Sequence, residues 1–167
     1  MKIFQPQLLV LLFGLLLGGT SLQAQNYDLA GGVRFGRPNS LSLKKTIGEG
    51  NALEAIVGYR GSLAFYNQVN LGLGYQRHSP LPDLLEGLNW YWGLGGSVYF
   101  YSYNLGFGAD AANVGFGALG FLGLDYTLED TPINITLDWA PSLVFGDDIF
   151  NGFYGGYGGV GIRYVIK

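Results

Sequence analysis

The sequence lacks cysteine and is poor in charge, with charged residues making up only 13% of 167 positions. Without cysteine there can be no disulfide scaffold, zinc–thiolate site or thiol catalysis. The formal net charge is −3 and no basic cluster is present, which argues against nucleic-acid binding. After residue 24 there is no run of about 18 consecutive apolar residues, so no transmembrane helix is predicted there.

Glycine and aromatic residues are abundant instead. The chain contains 29 glycines, and aromatic residues make up 16% of it. Glycine is present at more than twice its usual share. A chain with 49% hydrophobic residues can bury enough surface to become ordered, which argues against disorder. The length fits one domain.

The first 24 residues have the pattern of a cleavable secretory signal peptide. The positive charge of Lys2 precedes an apolar run from Leu8 to Leu17, and small residues follow as far as Ala24. The apolar run is too short to span a hydrocarbon core of ~30 Å. We therefore predict cleavage after Ala24, which leaves residues 25–167 as one domain.

Beyond residue 24 the side chains alternate in character with a period of two. This pattern is typical of β-strands whose two faces meet different surroundings. It is clearest where large apolar residues alternate with polar or small ones between Ile133 and Phe145. Eight strands separated by turn signals are predicted, at Tyr27–Gly36, Leu41–Ile47, Ala52–Arg60, Gln68–His78, Asn89–Tyr101, Gly117–Leu128, Ile133–Phe145 and Gly159–Lys167.

Two architectures use such strands, with the apolar face on opposite sides. In a transmembrane barrel the apolar face meets lipid and the sheet must close. In a secreted soluble barrel or sandwich, Trp90, Trp92, Leu137 and Trp139 would point inward. The polar face is dominated by glycine, alanine and serine, which suits a narrow lumen better than a solvated surface. We therefore predict an all-β fold, a closed antiparallel transmembrane β-barrel of about eight strands.

Tyrosine and tryptophan residues occupy the predicted outer face, several of them near strand ends. Such residues form girdles at the two membrane interfaces. The predicted interface aromatics are Tyr59, Tyr75, Trp90, Trp92, Tyr126, Trp139 and Tyr164.

Four glycine-rich alternating segments carry a resemblance to known proteins: Ala30–Gly36, Ala52–Arg60, Gly87–Gly93 and Gly159–Tyr164. In these segments, and over Tyr27–Lys167 as a whole, the chain resembles the small OmpA/OmpX-like outer-membrane β-barrel proteins of Gram-negative bacteria. The resemblance implies a place in the cell outer membrane and contact with its lipid and lipopolysaccharide. It also implies recognition by the barrel-assembly machinery. Because it is a match of pattern, it indicates architecture and leaves activity open.

Charged residues on the polar face predict an ion-pair network inside the barrel. An eight-stranded barrel is just wide enough for side chains to fill it, and buried charges need partners. Lys44 also faces this lumen. The predicted network pairs three carboxylates with three arginines, namely Glu54, Asp125 and Asp138 with Arg34, Arg60 and Arg163. Such a network fills and stiffens the lumen, and the alternative is a gated polar path for ions or protons.

His78 is the only histidine and is followed by Ser79. Some small outer-membrane barrels modify lipid A with a histidine, a serine and a carboxylate, for which Asp83 or Glu86 is available. However, neighbouring residues on a strand point to opposite faces. We therefore interpret His78 as a solvated residue at the periplasmic rim.

Three groups of loop residues have simple interpretations. Asp110, Asp147 and Asp148 could recruit calcium, but we expect ordinary acidic loops that face the extracellular side. The glycine-rich segment Gly155–Gly159 lacks the lysine and the helix of a phosphate-binding loop. The loop aromatics form either an adhesive surface or part of the upper interface belt: Phe150, Phe153, Tyr154 and Tyr157.

The sequence thus predicts a non-enzymatic outer-membrane barrel with a structural or surface-interaction role and a filled lumen. No catalytic residue, metal, cofactor or nucleic-acid partner is expected. Three alternatives stay open. A narrow channel or transport barrel requires a water path past Arg34, Glu54 and Arg163. A lipid-modifying enzyme requires His78 at a lipid-facing rim, and a secreted soluble binding barrel requires the reversed faces.

Overall fold

The structure, a computed structural model, describes residues 28–62, 66–103, 112–146 and 151–166. Within these ranges no helix is long and apolar enough to cross a membrane. The predicted signal peptide, residues 1–24, lies outside the described residues. The strand segments are β1 (Leu29–Arg37), β2 (Asn39–Thr46), β3 (Asn51–Ser62), β4 (Tyr66–Pro80), β5 (Leu88–Tyr103), β6 (Ala112–Thr127), β7 (Ile133–Trp139), β8 (Ser142–Phe145), β9 (Gly152–Tyr154) and β10 (Gly158–Ile166).

Hydrogen bonding between neighbouring strands closes the sheet into a barrel. Antiparallel pairing runs in chain order from β1 to β6, and β6 then pairs with both β7 and β8. β7 pairs with β10, and β10 pairs with β1. The first and last strands therefore complete the circle, so that backbone groups pair within the wall as a membrane span requires.

The ten segments make eight spanning strands because two of these strands are interrupted. β7 and β8 are separated by Ala140 and Pro141, where proline has no N–H to donate to the ladder. β9 and β10 together form the last strand. Between them, the three residues Gly155–Tyr157 lie opposite only two residues, Ala140 and Pro141, and this extra residue makes a β-bulge. The prediction of an all-β, closed antiparallel barrel of eight strands is confirmed.

The two ends of the barrel differ, and we call them the near end and the far end. The near end holds the paired Leu29 and Ile166 and the turns at residues 47–50, 81–87 and 128–132. The far end holds the tight β1–β2 turn at Pro38. β5 and β6 each have 16 residues, whereas β1 has 9 and β2 has 8. The wall is therefore taller at the far end on the β5–β6 side.

Apolar side chains face outward and polar side chains face inward. Leu94 is 66% exposed on the outer surface, whereas Lys44 and Glu54 are fully buried inside. Trp92 and Trp139 are exposed on the outer face, in contrast to the expectation for a soluble barrel. A continuous apolar surface of this extent is unusual for a soluble monomer and is typical of a lipid-facing barrel.

Candidate functional site

The side chains inside the barrel form three layers between the near and far ends. The first, which we call the charge layer, contains Arg34, Ser42, Lys44, Glu54, Gln76, His78, Tyr91, Asp125, Asn134, Thr136, Asp138 and Arg163. Next comes the apolar layer, formed by Ile56, Leu119, Phe121 and Ala140. The tyrosine layer follows toward the far end, with Tyr99, Tyr101, Val144, Tyr154 and Tyr157.

Arg163 on β10 reaches across the lumen to Glu54 on β3. Its Nη2 pairs with Glu54 Oε1, its Nε donates to Ser42 Oγ at 2.7 Å, and its Nη1 donates to Thr136 Oγ1 at 3.0 Å. Glu54 also accepts hydrogen bonds from Ser42 Oγ and Gln76 Nε2, both at 2.6 Å. Both charges are therefore compensated by an opposite charge and by neutral partners, which is the condition for burying them.

A second pair joins Arg34 on β1 to Asp138 on β7. Arg34 Nη2 pairs with Asp138 Oδ1. The other carboxylate oxygen, Oδ2, accepts a hydrogen bond from the hydroxyl of Tyr91 at 2.9 Å. Tyr91 on β5, which only β6 separates from β7, is itself fully buried, so this contact fixes the second carboxylate oxygen.

A third pair joins Lys44 on β2 to Asp125 on β6. Lys44 Nζ lies 3.1 Å from Asp125 Oδ2 and 4.4 Å from the centroid of the Tyr91 ring, a cation–π distance. Asn134 Nδ2 donates to Asp125 Oδ1 at 2.6 Å. His78 Nε2 lies 3.5 Å from Asp125 Oδ2, and its ring stacks on Tyr91 with the centroids 4.8 Å apart.

The charge layer connects the whole circumference of the barrel. Each of the eight spanning strands contributes at least one of its side chains, and most of the hydrogen bonds above join different strands. Two arginines and one lysine face three carboxylates, so the paired charges balance. The lumen is thus braced by side chains that pair with one another between strands.

Five of the six residues predicted for the lumen network lie in this layer, namely Arg34, Glu54, Asp125, Asp138 and Arg163. Two details differ from the expectation. Asp125 pairs with Lys44 and not with an arginine. Arg60 is half-buried and forms no ion pair within the described ranges, because Ile56 and Gly58 separate it from Glu54 along the inner face of β3.

The interpretation of His78 as a solvated rim residue is wrong. β4 continues to Pro80, so the alternation that buries Gln76 also turns His78 inward, where it is only 3% exposed. Ser79 therefore belongs to the opposite face of the strand. Asp83 and Glu86 are exposed in the connection that follows. The carboxylate near His78 is Asp125 in the lumen, so these groups do not converge on a lipid-facing rim.

Glycine makes room for the apolar layer. A Cβ atom at Gly74 would lie 2.4 Å from the ring of Phe121. The absence of this atom allows the Phe121 ring, which is 4% exposed, to pack against β4 in the same cluster as Ile56 and Leu119. These buried side chains lie in the middle of the lumen and offer no hydrogen bond to water.

The bulge in the last strand brings two tyrosines to the same side. Tyr154 and Tyr157 stack inside the barrel with ring centroids 5.5 Å apart, while Phe153 is 68% exposed on the outer face. Gly155 contributes its carbonyl oxygen, which accepts a hydrogen bond from Trp139 Nε1 at 2.6 Å. The loop aromatics therefore do not form one surface, and Phe150 lies outside the described residues.

The seven predicted interface aromatics are all placed on the outer face. Five of them lie toward the near end, namely Tyr75, Trp90, Trp92, Tyr126 and Tyr164, whereas Tyr59 lies toward the far end and Trp139 lies between them. Tyr75 donates to Asn51 Oδ1 at 2.7 Å, and Tyr59 donates to Asn67 Oδ1 at 2.8 Å. Both hydroxyls thus bond to residues close to a barrel end, as interfacial tyrosines do.

The remaining candidate residues supply no metal site in the part of the chain that is described. No group of three or more histidine and carboxylate side chains there could hold a metal ion. Asp110, Asp147 and Asp148 lie outside the described residues. Gly155–Gly159 forms the bulge and the start of β10, as expected for a strand entry.

Comparison with known proteins bears on the fold alone. No protein family and no curated protein matches the chain. Among solved structures, the crystal structure of Neisserial surface protein A (NspA) matches with a TM-score of 0.63 at 12% sequence identity. The match covers 83% of this chain and 93% of that chain. At this identity the match shows the fold, and it confirms the architecture that the resemblance in the sequence implied.

Proposed function

We propose that this protein is an integral outer-membrane barrel with a non-enzymatic structural or surface-interaction role, and that its lumen does not conduct. The observation that carries this proposal is the charge layer, in which three buried ion pairs each join two strands that are not neighbours in the wall. Charges that are already paired and hydrogen-bonded stiffen the barrel and have little to offer a passing ion.

The outer face supports the membrane location. Its apolar side chains meet outer-membrane lipid, and the tyrosines and tryptophans near the ends lie at the level of the head groups and of lipopolysaccharide. The signal peptide exports the chain, and the barrel-assembly machinery inserts it. The near end of the barrel, where β1 begins and β10 ends, then faces the periplasm.

The apolar layer favours a sealed barrel over a narrow channel. A conducting path requires water to pass the charge layer and then to continue beside Ile56, Leu119 and Phe121. These side chains are between 4% and 7% exposed and lie next to each other in the middle of the lumen. An apolar constriction of this kind excludes water and so acts as a barrier to ions.

The proposed role is tested by locating the protein and then measuring its conductance. Fractionated cells should carry it in the outer membrane, with a gel mobility that changes on boiling because the closed barrel resists detergent. In planar bilayers the purified protein should give no discrete conductance steps. Phe121→Ala opens the apolar layer, and Leu122→Ala changes the neighbouring side chain on the outer face and serves as the matched control.

Each outcome has a distinct meaning. Recovery in the periplasm or medium without a heat shift would contradict the membrane location. Stable conductance steps from the wild-type barrel would contradict the sealed lumen and support the narrow-channel alternative. A stepwise conductance that appears only in Phe121→Ala, and not in Leu122→Ala, would identify the apolar layer as the barrier.

A further inference from the structure

A small cavity lies inside the barrel between the β1–β2 turn and the apolar layer. Its lining includes Pro38 in that turn, Ile56, Leu119 and Phe121 of the apolar layer, and Arg34 of the charge layer. The centre of a water molecule has about 20 Å³ available to it there. Roughly 10–15 Å³ of such space is needed to hold one water, so the cavity has room for one water and for nothing much larger.

The hydrogen-bonding register sets four residues side by side on the inner face at this cavity. Arg34 on β1 lies opposite Ser40 on β2, and Ser40 lies opposite Gly58 on β3. Gly58 in turn lies opposite Asn70 on β4. A Cβ atom at Gly58 would be 2.1 Å from Asn70 Oδ1 and 2.8 Å from the ring of Pro38. Because glycine lacks this atom, the amide oxygen of Asn70 can lean over β3 in the direction of β2.

Four buried polar atoms in the lining have no hydrogen-bond partner within the described parts of the protein. They are Arg34 Nε, Ser40 Oγ, Asn70 Oδ1 and Tyr157 OH. The residues that carry them are between 5% and 8% exposed. Buried polar groups are nearly always hydrogen-bonded, either to the protein or to ordered water, so four such atoms around one cavity indicate a shared partner.

The hydrogen-bonding character of the four atoms matches a water molecule. Arg34 Nε can only donate and Asn70 Oδ1 can only accept, whereas the two hydroxyls can do either. A water can accept from the arginine and from one hydroxyl while it donates to the amide oxygen and to the other hydroxyl. An anion would have no hydrogen to give to Asn70 Oδ1, and a cation would face the guanidinium group of Arg34.

We propose that this cavity binds one ordered water molecule, which bridges the four atoms. The water joins β1, β2, β4 and the bulge before β10 at a level where these atoms form no direct hydrogen bond. It also connects Arg34 of the charge layer to Tyr157 of the tyrosine layer. Such a bridge is enthalpically nearly as good as a direct hydrogen bond. One held water is not a path for ions, so the proposal stands whether or not the lumen conducts.

The direct test is a crystal structure of the refolded full-length mature chain, at a resolution that shows ordered water. One water should lie at hydrogen-bond distance from Arg34 Nε, Asn70 Oδ1 and at least one of the two hydroxyl oxygens. Asn70→Leu replaces the acceptor by an apolar side chain of similar size and should expel this water. Asn89→Leu makes the same change at a buried asparagine near the opposite end of the lumen and should leave the water in place.

A double-mutant cycle tests the bridge in the folded barrel by urea unfolding. Once Asn70→Leu has expelled the water, Ser40→Ala removes a hydroxyl that has already lost its partner, so it should cost less than in the wild type. The two changes should then depart from independence by about threefold or more in the unfolding equilibrium constant. Ser40→Ala and Asn89→Leu share no partner and should be independent within about twofold.

The readouts remain usable if one variant is lost. Heat-dependent gel mobility shows whether each variant forms the closed barrel. If Asn70→Leu does not fold, Tyr157→Phe takes its place in the cycle with Ser40→Ala, because it removes only a hydroxyl from the same cavity.

The proposal is overturned if the wild-type crystal structure shows a dry cavity, a buffer or detergent molecule in it, or direct hydrogen bonds among the four atoms with no water between them. It is equally overturned if the water persists in Asn70→Leu, because Asn70 is then not one of its partners. Independent effects of Ser40→Ala and Asn70→Leu, like those of the control pair, would contradict the bridge.

Discussion

Replacing Arg163 by methionine removes the most connected cation of the lumen and keeps an unbranched, shorter side chain. The change leaves the Glu54 carboxylate buried without its cation and takes a donor from Ser42 and Thr136. Breaking a buried ion pair by removing one partner costs about 3–5 kcal/mol, because the remaining charge is uncompensated. We expect the free energy of unfolding of Arg163→Met to fall by that amount.

The assay is reversible urea unfolding of the refolded barrel in lipid vesicles, followed by tryptophan fluorescence. Arg77→Met is the matched control, because Arg77 is an exposed arginine on the outer face of β4. Its loss should cost less than about 1 kcal/mol, the usual range for an exposed charge. Folding efficiency should be compared before the stabilities, so that failed insertion is not counted as instability.

A double-mutant cycle with Glu54→Gln separates the ion pair from lost packing. Once the carboxylate is neutral, removing Arg163 no longer leaves a buried charge, so the double variant should be more stable than the sum of the single losses predicts. A coupling of about 0.5–3 kcal/mol is expected for residues in one network. The reasoning is refuted if Arg163→Met is as stable as Arg77→Met, or if the two losses simply add.

Three further predictions use the same unfolding assay. In Gly32→Ala the new Cβ would lie 2.0 Å from a backbone carbonyl oxygen of β10, so the free energy of unfolding should fall by about 1–3 kcal/mol. Gly31→Ala is the control and should be tolerated, because its Cβ would contact only a side-chain atom at 3.4 Å. Equal losses in the two variants would contradict the packing argument. Phe121→Ala removes a buried ring and should lower the free energy of unfolding by about 3–5 kcal/mol. A loss below about 1 kcal/mol would show that the neighbouring side chains of the apolar layer move in to fill the space. Leu94→Arg should lower the free energy of unfolding in vesicles by about 2–4 kcal/mol, because it places a charge in the middle of the lipid-facing wall. Leu84→Arg, in the near-end turn, should be tolerated. Unchanged stability in both variants would contradict lipid contact.

The strands and their two faces could be predicted from the sequence because lipid and lumen impose opposite demands on alternate residues. Leu137 and Asp138 are neighbours in sequence, yet one is 57% exposed and the other 7%. The same alternation would have placed His78 in the lumen, since it continues the inward series that contains Gln76. The error came from ending the strand too early, at a turn that begins only after Pro80.

The partners inside the lumen could not be predicted in the same way. Lys44 and Asp125 are 81 positions apart and meet only because of the stagger between strands around the closed sheet. The position of Tyr157 depends on the bulge at Gly155–Tyr157, which shifts the alternation of the last strand by one residue. Glycine permits such a bulge, but the hydrogen-bonding register decides whether it forms.

The central claim is that the apolar outer face of the barrel lies in lipid. The chain has three tryptophans, Trp90, Trp92 and Trp139, and all of them belong to that face. The most direct measurement is quenching of their fluorescence in vesicles made with lipids brominated along the acyl chain, compared with quenching by iodide in the water. Strong quenching by the brominated lipids with protection from iodide is the predicted result. Quenching by iodide, with no effect of the brominated lipids, would contradict the membrane barrel.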